Sequence, residues 1–170
     1  MRRPTKSLRA AGGRTACLLR SLGLALLIAS ASGADALAHS HKIKGFEIVH
    51  PWCVEITDPA VNTAAVYMII KNKGRRPDRL IGATSAAAQT IELRTPVGDG
   101  THTRKASALD VMGGRELILR STGPHLLLSG LARKPSAYES FAMTLIFERA
   151  GKIEVEVVVE EPEKGEPAPH

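Results

Sequence analysis

The sequence predicts an all-β domain, a sandwich or barrel, preceded by a removable leader. Three observations predict it. Apolar segments of four to eight residues recur about every ten residues, many of them rich in Val, Ile, Tyr and Phe. Gly, Pro, Asn and Asp punctuate the gaps between them. No segment sustains a 3.6-residue apolar period, so helices have no foothold.

The leader comes first. Residues 1–20 hold Arg2, Arg3, Lys6, Arg9, Arg14 and Arg20 and no acid, residues 22–31 are an apolar run, and Ala36-Leu37-Ala38 offers small residues at −3 and −1. Basic region, short apolar region and A-x-A site together read as a secretory signal over residues 1–38. The run is shorter than the ~20 residues a spanning helix requires, so no membrane span is expected after cleavage.

Cleavage rewrites the charge. The whole chain has 23 Lys and Arg against 17 Asp and Glu, a formal net charge of +6. Residues 1–38 carry six of the bases and one acid, leaving 17 against 16 and a mature charge near +1. That balance offers nothing for nucleic acid. Cys17 leaves with the signal, and it lies before the apolar run rather than after it, where a lipid-modified cysteine would stand. Cys53 is then alone and forms no intramolecular disulfide, despite an oxidising destination.

The mature domain, residues 39–159, follows in order. Residues 39–44 are a polar lead-in. Residues 42–50 form the first expected strand, broken at Pro51-Trp52, and Asp58-Pro59 marks a turn. Residues 64–71 (AAVYMIIK) are a core strand closed by Asn72-Lys73-Gly74, followed by strands at 78–84 and 90–94. Residues 96–105 are expected as a loop holding two glycines and His102. Strands at 109–112, 116–119, 125–128, 141–147 and 153–159 follow, the last two joined by Ala150-Gly151-Lys152. Residues 160–170, acidic and proline-rich, are expected to be a disordered tail.

A set of short motifs runs through this domain: Pro51-Trp52; Ala65-Val66-Tyr67 with Asn72-Lys73-Gly74; Asp78-Arg79-Leu80-Ile81-Gly82; Ile91-Glu92-Leu93; Gly113-Gly114; Gly123-Pro124-His125-Leu126 with Gly130-Leu131; and Leu145-Ile146-Phe147-Glu148 with Ala150-Gly151. In their order and spacing they resemble the periplasmic PCu(A)C-like copper chaperones, over roughly residues 43–159, and the resemblance implies a cupredoxin-like Greek-key β-sandwich or barrel. The resemblance implies a periplasmic or secreted, non-enzymatic copper-binding protein. Its ligands would be two histidines and two methionines on Cu(I), and its partner a copper-receiving protein such as a cytochrome c oxidase subunit or assembly factor. Soft thioether suits Cu(I), and imidazole fixes the geometry.

Residue by residue, the resemblance keeps only one ligand. Arg94 stands where the family's first histidine follows the Glu-Leu pair. Lys105 stands at the first methionine, eleven positions on, and Leu127 at the methionine of the closing His-x-Met. Only His125 survives. A fixed cation ~4 Å from another unit charge costs roughly 4 kcal/mol at an effective dielectric of 20, or about three decades in affinity.

Two readings stay open for His125: a strand-edge histidine bonded to a loop, or a metal ligand. His102 is a candidate substitute imidazole or a solvated loop residue, and Met112 before Gly113-Gly114 is core filler or a nearby thioether. Cleavage after Ala38 would leave His39-Ser40-His41. An amine, two amides and the imidazole of His41 can hold Cu(II) in a square plane; cleavage after Ala34 would leave only a His-x-His pair. His50-Pro51-Trp52-Cys53 could pair thiol with imidazole, but no third group is evident to orient them, and a buried structural cysteine is the plainer reading. The leading reading is a periplasmic copper-binding protein or chaperone with His125 retained and His102, His39 and His41 as substitute ligands. The alternative is a metal-free secreted interaction module that kept the fold and lost the site.

Overall fold

The computed structural model describes residues 41–98 and 101–162, Lys44 excepted, with residues 41–43 as backbone only. Every regular element in this span is a strand. They are β1 (His41–Ile43), β2 (Phe46–Val54), β3 (Thr63–Asn72), β4 (Asp78–Thr84), β5 (Ala88–Val97), β6 (His102–Lys105), β7 (Leu109–Val111), β8 (Glu116–Leu119), β9 (His125–Leu131), β10 (Ser140–Phe147) and β11 (Gly151–Glu160).

The strands hydrogen-bond in the order β6-β5-β9-β3-β2-β11-β10-β4-β7, with β1 added to β2 and β8 added to β3. All pairs are antiparallel except β11 with β2, where Val158 faces Trp52. The sheet curls round one core. Buried Asn72 on β3 donates its side-chain amide to the Val111 carbonyl on β7, 3.0 Å away, and so ties a middle strand to the far end of the path. Alternate residues of nearly every strand fill the interior, among them Ile48, Val66, Met68, Leu80, Leu126, Leu145, Phe147 and Val157. A strand's two-residue period then sends the residues between them to the outer face.

The sequence expectations need five adjustments. The first expected strand, 42–50, is a hairpin instead: β1 and β2 pair with Ile43 opposite Phe46, and Gly45 turns between them with a φ of 84°. Pro51-Trp52 does not end a strand, because β2 runs on to Val54 through a bulge. The register with β3 steps from Val49↔Ile69 to Trp52↔Tyr67, so one extra residue is absorbed there. His50 takes a left-handed φ of 49° at this bulge, a conformation His tolerates better than most residues. Residues 102–105 are a strand rather than loop, because β5 is long enough to offer its edge from Arg94 to Val97. β9 continues to Leu131. Glu160, placed in the tail by its composition, pairs with Val54 as the last residue of β11. The expected signal (residues 1–38) and the rest of the expected tail (163–170) lie outside the described residues.

Candidate functional site

The outer face of β9, β5 and β6 carries the candidate site. In register, Arg94 of β5 lies opposite His125 of β9 on one side and Lys105 of β6 on the other. Two residues along, Glu92 lies opposite Leu127. Cross-strand partners share a face, so positions 94, 105, 125 and 127 converge on one patch. Leu93, Leu126 and Leu128, between them in sequence, are buried in the core behind it.

His125 is shaped by the turn before it. The amide of Arg120 donates to the Pro124 carbonyl and the amide of Gly123 to the Arg120 carbonyl, closing the loop tightly. A Cβ on Gly123 would stand 2.9 Å from Arg120 Cγ, so the turn favours glycine. His125 is 8 % exposed, and its Nδ1 lies 3.0 Å from the Gly123 carbonyl. A carbonyl only accepts, so Nδ1 carries the proton and, in the neutral ring, Nε2 carries the lone pair. This is the arrangement in which second-shell carbonyls hold metal-binding imidazoles. The Tyr67 ring meets His125 edge-on with centroids 6.2 Å apart, and Trp52 lies 4.9 Å from Tyr67.

The cations opposite His125 are tied down elsewhere. Arg94 donates from Nη1 to Glu92 (3.2 Å), from Nη2 to the Thr103 carbonyl (3.0 Å) and from Nε to Thr103 Oγ1 (3.2 Å). Lys105 Nζ donates to the other Glu92 oxygen at 3.0 Å. Glu92 therefore bridges both cations, and the Lys105 hydrogen bond first, then the two positive charges, hold its carboxyl below the usual range. Glu92 is the member that ligand-based reasoning passed over. Its signal was present in Ile91-Glu92-Leu93, an acid two residues from an arginine on the same strand face.

The other expected ligands do not gather here. His102 is exposed and pairs with Val97, and strand alternation turns it to the face opposite Thr103 and Lys105. Two strand spacings and three residue steps put it about 14 Å from His125. Met112 is 57 % exposed beyond β7, while Met68 and Met143 are each 1 % exposed in the core. His41 sits in β1 opposite Ile48; His39 lies outside the described residues. Among the described residues, no group of three His, Cys, Asp or Glu side chains is placed to hold a metal. The four-ligand copper set does not fit the residues present.

The remaining thiol is structural. Cys53 is 1 % exposed on the core face of β2, and burial, helped by the Glu160 carboxylate, pushes its thiol up to about 12. Nucleophilic chemistry needs a thiolate, so Cys53 is inert at neutral pH. His50 Nε2 pairs instead with Glu160 at 2.9 Å.

Comparison with known proteins agrees with this fold. A family model described as "Putative lipoprotein LpqE-like" matches residues 46–159. A protein of Leifsonia xyli subsp. xyli, named "Putative lipoprotein Lxx21020", is 26% identical over 157 residues, covering 87% of this chain and 93% of its own. The copper-bound PCuAC domain from PmoF2 superposes with a TM-score of 0.65 at 26% identity, over 73% of this chain and 99% of that one. The Cu(I) form of DR1885 from Deinococcus radiodurans matches with a TM-score of 0.59 at 23% identity, over 76% of this chain and 85% of that one, and shows the shared fold.

Proposed function

The chain belongs to the LpqE-like family, with the cupredoxin-like PCuAC fold, and on that premise we propose that it is an extracytoplasmic binding module whose copper site has become a salt-bridged protein-contact face. The observation that carries this is the Arg94–Glu92–Lys105 bridge, which occupies the positions where the resemblance calls for a histidine and a methionine. Soft-ligand chemistry has been exchanged there for fixed charge. Leu127 removes the last thioether. The same face carries half-buried Trp52 on β2, separated by Tyr67 and His125 from the hydrogen-bonded ion network on β5 and β6, a mixture typical of polar protein interfaces. The similar PCuAC domain from PmoF2 is a copper-bound domain, and the inert Cys53 agrees with a binding role.

Placement outside the cytoplasm is supported by the signal-like residues 1–38 and by relatives named as lipoproteins. Lipid attachment at the leader would need a cysteine just after the apolar run. Cys17 precedes that run and Cys53 is buried in β2, so neither cysteine is placed for it.

A second reading, copper capture and delivery, rests on one feature: the His125 Nδ1 bond that leaves Nε2 as a ready donor. His39-Ser40-His41 would add a Cu(II) site if cleavage follows Ala38. The two readings part in a competition titration of the secreted protein, its N-terminus read by mass spectrometry, against Cu(I) and Cu(II) chelators. The contact-face reading expects no Cu(I) binding that depends on His125. Tight Cu(I) binding abolished by His125→Ala would overturn it and install the second.

A further inference from the structure

Three turns meet at the end of the sandwich away from the β2–β3 and β9–β10 loops, and all three are basic. The β3–β4 turn carries Arg75 and Arg76, the β7–β8 turn carries Arg115, and the β10–β11 turn carries Arg149. Backbone contacts lock them together. The Gly114 amide donates to the Gly74 carbonyl, and the Asn72 side chain holds the Arg76 carbonyl. A Cβ on Gly113 would stand 2.3 Å from the Arg75 carbonyl oxygen, so the β7–β8 turn lies directly against the β3–β4 turn. Buried Asp78, just after Pro77, accepts the amides of Arg149 and Ala150 and draws the third turn in.

All four arginine side chains are exposed, and none has a carboxylate partner among the described residues. Nearby charges at this end are already matched: Lys73 with Glu47, and Arg79 with Asp110 and Glu148. Met112, 57 % exposed, projects from the β7–β8 turn among the arginines. The opposite end holds five acids, Glu55, Asp58, Glu139, Glu160 and Glu161, against Arg133 and Lys134, of which Arg133 pairs with Glu139. A domain of nearly balanced charge is thus polarised end to end.

We infer that this basic end docks on an anionic lipid bilayer, with Arg75, Arg76, Arg115 and Arg149 against headgroup phosphates and Met112 at the acyl boundary. Cations on the tips of three separate turns match a charged plane better than a single phosphate, which is held by a cradle of converging donors. An exposed thioether among arginines is the apolar element that such a surface accepts. The acidic end then faces away from the membrane. The contact is independent of whether His125 ever meets copper.

The test is co-sedimentation of the full secreted protein with phosphatidylglycerol-containing vesicles, with pure phosphatidylcholine vesicles as counter-probe. Each arginine near an anionic bilayer is worth about five-fold in partitioning. Replacing Arg75, Arg76, Arg115 and Arg149 by Gln should therefore lower binding several-hundred-fold, to about the phosphatidylcholine level. A charge-matched control, with Arg104, Arg120, Arg133 and Lys134 replaced by Gln, should keep most of the binding. Thermal unfolding of both variants shows that each is folded. High salt should release the wild type, and Met112→Ser should weaken binding several-fold. Equal losses in the two quadruple variants would overturn the inference, as would no preference for anionic vesicles. So would finding that the basic-end variant abolishes only head-to-tail self-association in sedimentation velocity.

Discussion

Restoring the ligands one patch at a time is the sharpest check on the reading of positions 94, 105 and 127. The perturbation is Arg94→His, Lys105→Met and Leu127→Met together. Register places all three around His125 on one face, and His125 already has its Nε2 lone pair free. Removing a cation ~4 Å from Cu(I) recovers roughly 4 kcal/mol at an effective dielectric of 20; Glu92, which lies between the two cations, already offsets part of that in the wild type. Even half of it for each cation, before any gain from new ligands, amounts to about three decades in affinity. The assay is anaerobic competition with a colorimetric Cu(I) chelator, with His125→Ala introduced into the triple variant as a control. The triple variant should take Cu(I) from a chelator that the wild type leaves untouched, and His125→Ala should abolish the gain. A folded triple variant that gains nothing would refute the convergence of these positions on one site. A wild type that already competes would refute the claim that the ion bridge excludes the metal.

Three further outcomes follow from the same geometry. Glu92 has a folded pKa below its ordinary value of 4.5. Its contribution is therefore present above that value and lost as pH falls through the folded pKa; Tm measured against pH should show a shallower acid limb in Glu92→Gln below about pH 4.5, and an unchanged limb would show that the bridge does not form in solution. Asp78, 5 % exposed, accepts the amides of Arg79, Arg149 and Ala150 at 2.7, 2.9 and 2.9 Å; Asp78→Ala should cost roughly 2–4 kcal/mol in urea unfolding, and a loss within the scatter of surface mutants would argue against that role. Cys53 should resist iodoacetamide at neutral pH in the native protein and react fully once unfolded; fast native alkylation would reopen the thiol chemistry set aside above.

The strands were legible where apolar residues and turn residues alternated cleanly, as in 64–71 against β3 and 78–84 against β4. Two misreadings share one cause, which is that local chemistry was outvoted by pairing. Pro51 reads as a breaker because it donates no hydrogen bond, yet the extra residue at His50 lets β2 pass it and resume pairing at Trp52. The polar segment HTRK reads as loop because it has no apolar face, yet as β6 at the edge of the path it needs none. The site was half legible. Sequence placed Arg94, Lys105 and Leu127 at ligand positions, but not the direction of their side chains. That depended on Glu92 and on Thr103, and the Thr103 contribution is partly a backbone carbonyl that no residue identity announces.

On the contact-face reading proposed above, side chains at these positions can be exchanged without disturbing the core, because the strand period separates the two jobs. On β5, Leu93 is 3 % exposed in the core while Glu92 and Arg94, on either side, point outward. On β9, Leu126 and Leu128 are both fully buried while His125 and Leu127 share the outer face with Arg94 and Glu92. Leu127 is thus bracketed by core residues and Arg94 adjoins one, while Lys105 lies on the edge strand β6, which contributes no buried residue. Exchange of histidine for arginine or methionine for lysine there costs the metal and little else, since the new charges find Glu92 within 3.0–3.2 Å. His125 is the exception, buried and tied to the Gly123 carbonyl. A histidine in that place closes the turn that starts β9 whether or not a metal is bound. Its survival among four ligand positions is therefore explained by structure alone, and copper is not required to account for it.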